Sequence, residues 1–111
     1  MTDWTDVDKA GDFGPGEVRI VDVDGVDVLV ANVDGEYHAI ENLCTHEEES
    51  FCQPGEEKTC LHGDRIICPR HEAEFSVKTG DALTPPAYEP APVFPVRVEN
   101  GVVQVRDDRW D

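Results

Sequence analysis

Lysine is nearly missing from this 111-residue chain. Only Lys9, Lys58 and Lys78 occur, and Lys plus Arg number 9 against 25 Asp plus Glu, a formal charge of −16. That imbalance argues against nucleic acid as a partner, because a phosphate backbone would be repelled rather than neutralised. No long apolar run is present, which excludes a membrane-spanning helix. The opening "MTDWTDVDKAGDFG" has neither a basic region nor an apolar segment, so it reads as neither a secretory nor a twin-arginine signal. If these residues are the whole chain, the expected location is the cytoplasm. Cysteine is also sparse, at four residues. In a reducing compartment such cysteines are expected as metal ligands or free thiols rather than disulfides.

The acidic residues run from end to end instead of forming one tail. Such a charge opposes folding by self-repulsion unless salt screens it. A surface kept hydrated in concentrated salt, hence a halophilic source, is the expectation. The plainer reading is an acidic face that docks on a basic partner.

A helical stripe is lacking as well. The runs "EVRIVDV", "VDVLVANV" and "EYHAIEN" are instead short, rich in Val and Ile, and partly alternating. Asp24-Gly25 and Asp34-Gly35 separate them, and Asn100-Gly101 separates "FPVRVE" from "VVQVRD". These dipeptides tolerate the positive φ of tight hairpin turns. A further pair, "DRIIC" and "EFSV", lies in the middle. The spacing predicts an all-β fold, a small antiparallel sandwich or barrel in a single domain over residues 1–111. Two segments break the rhythm. Residues 45–64 are rich in Glu, Cys and Gly, and "LTPPAYEPAPVFP" carries prolines at 85, 86, 90, 92 and 95. So many prolines exclude a central strand and suit a stiff covering loop.

Chemistry concentrates in two short stretches. "ENLCTHEEE" holds Cys44 and His46, and "RIICPRHEAEF" holds Cys68 and His71. Each pair ends an expected strand and enters a loop. The pattern is C-x-H, 21 intervening residues, then C-x-x-H. Two thiolates and two imidazoles are thereby delivered by two loops, with a fixed scaffold between them.

On these residues the chain resembles the Rieske-type ferredoxins, close to the soluble ferredoxins of ring-hydroxylating dioxygenases. "DGEYHAIENLCTH" resembles the strand leading into the family's first ligand loop, and "CPRHEAEFSVKTG" its second loop and following turn. "LTPPAYEPAPVFPVRVENGVVQV" resembles the proline loop and closing hairpin, so the likeness spans roughly residues 4 to 106. It implies the Rieske iron–sulfur fold with a two-loop cluster-binding subdomain, about residues 42–92, and one [2Fe-2S] cluster per chain. Cys44 and Cys68 would bind one iron, His46 and His71 the other. Neutral imidazoles remove negative charge from their iron and make it the easier one to reduce.

Departures from the family accompany the likeness. The gap between ligand pairs is longer than usual, implying an inserted loop at about residues 47–64. Arg70 stands where high-potential relatives carry a disulfide cysteine, which points to the lower-potential, soluble branch. Glu72 replaces a frequent glycine. The dense negative surface should lower the potential further.

A second C-x-H, Cys60 and His62, competes with Cys44 and His46. Only five residues, containing a turn and "RII", would then precede Cys68, too few for two independent loops. Cys52 and Cys60 are expected as free thiols on compartment grounds, although a disulfide between them is sterically possible. A zinc site on Cys52, Cys60 and His62 lacks a fourth ligand. His38 reads as a strand residue, Phe75 as core, and Trp4 and Trp110 as caps or surface residues. Tyr88, in the proline loop, is assigned no role.

The resemblance implies an electron carrier, not an enzyme, since no flavin, nicotinamide or mononuclear-iron motif is evident. Its implied partners are a flavin-dependent ferredoxin reductase and a terminal oxygenase or other redox enzyme, met by a monomer in transient docking. Two alternatives remain at this level: a Rieske-type small subunit of a nitrite reductase, and a zinc-binding interaction module using the same four ligands.

Overall fold

The computed structural model describes residues 4–43, 50–52, 60–67, 74–83 and 90–108. Among the described residues ten antiparallel strands and one short 3-10 turn are found, in agreement with the all-β expectation. The strands are β1 (Thr5–Lys9), β2 (Val18–Val23), β3 (Val26–Val33), β4 (Glu36–Glu41), β5 (Leu61–His62), β6 (Arg65–Ile67), β7 (Glu74–Ser76), β8 (Val93–Phe94), β9 (Val96–Glu99) and β10 (Val102–Val105). They form three sheets, ordered β1-β10-β9, β2-β3-β4-β8 and β5-β6-β7.

The three Asp/Asn-Gly dipeptides are the hairpin turns. Both residues of each have positive φ: 51° and 86° at Asp24-Gly25, 53° and 93° at Asp34-Gly35, 53° and 77° at Asn100-Gly101. Two consecutive positive values define the turn whose twist matches paired strands. Side chains reinforce two of them, Asp22 Oδ1 accepting from Gly25 N at 2.7 Å and Asn32 Oδ1 from Gly35 N at 2.8 Å.

β3 is buried at every position from Val28 to Val33. The cause is that the β2-β3-β4 sheet has a core on each face. Val18, Leu29, Ala31, Val33 and Ile40 point to one, where they meet Phe51, Cys52, Ile66, Phe75, Val77 and Ala91. Val23, Val28, Val30 and Ala39 point to the other, where they meet Phe13, Phe94, Val103 and Val105. Alternate residues of a strand face opposite sides, so a two-sided core removes the polar half of the expected alternation.

Two expectations are corrected. "FPVRVE" is not one strand: Phe94 pairs with Ala39 in β4, whereas Val96 begins β9 and pairs with Val105. Pro95 separates them, and lacking an N–H it marks the place where the chain changes sheets. The segment read as an inserted loop to residue 64 also contributes regular structure. Leu61 and His62 form β5, turning through Gly63 (φ 69°) to pair with Ile66 and Arg65. β1 went unread because "TDVDK" holds one apolar residue, Val7, which packs on the second core.

Candidate metal centre

Cys44, His46, Cys68 and His71 lie outside the described residues, as do Arg70, Glu72, Tyr88 and Trp110. The stems that carry the ligand loops are described. β4 ends at Glu41, whose N donates to Pro92 O at 2.9 Å, and the chain then turns, with Leu43 N donating to Glu41 O at 2.8 Å. Residue 44 follows directly. On the other side, Ile67 pairs with Glu74, which brings together the two ends of the segment that contains Cys68 and His71 and forms its neck. An ion pair from Arg65 Nη1 to Glu74 Oε1 at 3.1 Å lies beside that neck.

Both stems rest on one apolar core. Ile40 and Ile66 are fully buried in it, as is Phe75, whose ring meets Phe51 edge-on with centroids 4.9 Å apart. Phe75 is thus the core residue expected. The described ends of the proline-rich segment are tied to the two stems. Its start is tied to the second, Leu83 N donating to Glu74 O at 2.7 Å, and its return to the first through Pro92 O. Gly80 allows this crossing. Its φ is 79°, Ala91 N donates to its carbonyl at 2.7 Å, and a Cβ there would lie 2.2 Å from Ala91 O.

The expectation of free thiols at Cys52 and Cys60 is overturned. They form a disulfide with a Cα–Cα separation of 5.7 Å. Cys52 is buried in the core and the loop it closes is short, so proximity outweighs the compartment argument. The bond also removes the rival C-x-H and the small zinc site, since neither sulfur is free as a thiolate. His62 sits on β5, exposed. His38 is half-buried on β4 opposite Ala31, with Nε2 3.6 Å from Glu36 Oε1.

Of the chain's four cysteines and four histidines, this accounts for Cys52, Cys60, His38 and His62. What remains by sequence is Cys44, His46, Cys68 and His71, two thiols and two imidazoles in the segments that follow these stems. That set suits a paired-iron centre with sulfur on one iron and nitrogen on the other. The Rieske [2Fe-2S] domain family matches residues 3–95. The chain belongs to this family.

The Rieske chain is 41% identical over 91 residues to the biphenyl dioxygenase ferredoxin subunit of Pseudomonas sp. strain KKS102, covering 82% of this chain and 80% of that one. Its fold matches the ferredoxin of carbazole 1,9a-dioxygenase from Nocardioides aromaticivorans IC177, with TM-score 0.82, 28% identity, and 95% and 98% of the two chains covered. It also matches a chain in a complex of reduced oxygenase and oxidized ferredoxin in carbazole 1,9a-dioxygenase, with TM-score 0.81, 35% identity, and 93% and 92% covered.

Sequence reasoning missed two residues that fasten the stems of the expected ligand segments. One is Asn42, buried and two residues before Cys44, which no spacing rule singles out. The other is Gly80, whose role depends on Ala91 approaching from a distant segment.

Proposed function

We propose that this Rieske protein is a one-electron carrier between a flavin-dependent reductase and a terminal oxygenase. The observation that carries the reading is the likeness to ferredoxin components over nearly the whole chain, and the C-x-H and C-x-x-H pattern of Cys44, His46, Cys68 and His71 in the sequence supports it. When bound, the cluster supplies a single reversible electron. Cys44 and Cys68 would hold one iron with anionic sulfur. His46 and His71 would hold the other with neutral nitrogen, which would favour placing the added electron there. The Phe51, Ile66 and Phe75 core keeps the two stems together and excludes water beneath them.

The formal charge of −16 would steer the protein towards basic faces on both partners as a monomer that docks and leaves. Residues 1–111 serve as one domain, with residues 42–92 as the cluster-binding region. Among the described residues no helix is long and apolar enough to cross a membrane. A role in the cytoplasm fits the likeness to dioxygenase ferredoxin components. The same charge supports a halophilic setting, for which folding should strengthen as salt rises.

Iron and acid-labile sulfide analysis tests the assignment. The expected result is two irons and two sulfides per chain, with electron paramagnetic resonance of the reduced form altered by His46→Cys or His71→Cys. Zinc without sulfide would overturn it.

A further inference from the structure

Asn42 spends its whole side chain on two neighbours. Its Nδ2 donates to Cys52 O at 2.8 Å and to Asp27 Oδ2 at 3.0 Å, and its Oδ1 accepts from Cys52 N at 2.9 Å. Both Nδ2 hydrogens are used, and the Asp27 carboxylate fixes which way the amide faces. The clamp on the Cys52 peptide closes the chain between residues 42 and 52, the stretch carrying Cys44 and His46. It does with one side chain what the Ile67–Glu74 strand pair does for the second loop. Cys52 is then bonded to Cys60, which leads directly into β5 and the β5-β6-β7 sheet.

We propose that Asn42 and the Cys52–Cys60 disulfide are positioning residues for the cluster. Asn42 shuts the neck of the first ligand loop, and the disulfide ties that neck to the sheet bearing Cys68 and His71. A hydrogen-bonded and covalent brace, rather than the ligands alone, then sets the spacing between the two ligand pairs. This rests on the four-ligand reading above. Buried partners of this kind act on a metal through its ligands, so their loss should be felt at the metal even in a folded chain.

The test compares the wild-type holoprotein with Asn42→Asp, Asn42→Asp combined with Asp27→Asn, and Cys52→Ser combined with Cys60→Ser. Asn42→Asp keeps the acceptor but removes both donations and faces Asp27 with a like charge. Three properties are read: bleaching by a chelator, reduced-state g-values and midpoint potential, with thermal unfolding alongside. Bleaching is expected to quicken by about tenfold or more in Asn42→Asp and in the double serine variant. Their g-values and potential should move, and the Asp27→Asn second change should recover part of the shift. Lower thermal stability with unchanged g-values and potential would mean a merely structural brace and would overturn the proposal. So would alkylation of four cysteines, instead of two, in unreduced wild-type protein stripped of metal by acid. If a variant does not fold, dithiothreitol-treated wild-type protein provides the same comparison, the reagent being oxidised as Cys52 and Cys60 become thiols. Wild-type protein without iron and sulfide would defeat the four-ligand reading instead, so the two failures remain distinct.

Discussion

The two faces of the β2-β3-β4 sheet bury similar apolar side chains but hold their covering layers in different ways. One face is covered by β1, β10 and β9, strands of four or five residues joined in a ladder and closed by the Asn100-Gly101 turn. The other is covered by β5, β6 and β7, strands of two or three residues. So little ladder is weak alone, and that layer is fastened by the Asn42 clamp, the Cys52–Cys60 bond and the Gly80–Ala91 crossing. The first layer is held by repetition, the second by individual fastenings. A layer of the second kind can give its backbone to loops that hold a metal, and it should depend on that metal in return.

The largest effect should follow removal of the metal. Hydrogen exchange is expected to show protection in β5–β7 falling by roughly a hundredfold or more while β3 stays protected, because open segments exchange independently of the global fold. Equal loss in both layers would break the contrast. Next, Phe75→Ala empties a fully buried site beneath both stems. It should destabilise the fold by about 3–5 kcal/mol in urea titrations.

Gly80→Ala and Gly101→Ala sharpen the comparison, since their φ values of 79° and 77° nearly coincide. A side chain at either meets the left-handed penalty of about 1–2 kcal/mol. Gly101 faces open space, whereas Gly80 faces a carbonyl, so Gly80→Ala should be clearly the more destabilising of the two. On the ladder side, Tyr37→Phe removes the hydroxyl that donates to Phe13 O at 3.1 Å. Denaturant midpoints should reflect a loss of about 1 kcal/mol.

The smallest effect concerns acid. The hydrogen bond from Arg19 Nε at 2.9 Å, helped by the Lys9 N–H, holds Asp8 below the ordinary carboxylate range. A lowered carboxylate pKa stabilises the fold above the unfolded value, and that contribution is lost as pH falls through the folded one. Arg19→Met should therefore lower stability slightly at neutral pH and leave it nearly unchanged at the acid extreme, which flattens the acid limb of the stability profile. An unaltered limb would show the pair to be inert.

What could be read without the structure follows the same division. The β2, β3, β4 and β10 hairpins were legible because Asp-Gly and Asn-Gly turns are local signals, as was the C-x-H and C-x-x-H pattern. β5 was not, since Leu61 and His62 become a strand only by pairing with Ile66 and Arg65. The disulfide is not legible because compartment is an average property, while the proximity of Cys52 and Cys60 belongs to this fold. Asn42 and Gly80 act through Cys52 and Ala91, partners that sequence order does not reveal.

Thr5 lies opposite Val105, so the first and last described strands adjoin in one sheet. A unit with adjoining ends can be spliced into a larger polypeptide, or tethered to a donor by a short leash, without prising open either interior. Evolution or an engineer could build such a unit into a larger redox protein by editing only what lies outside those two residues.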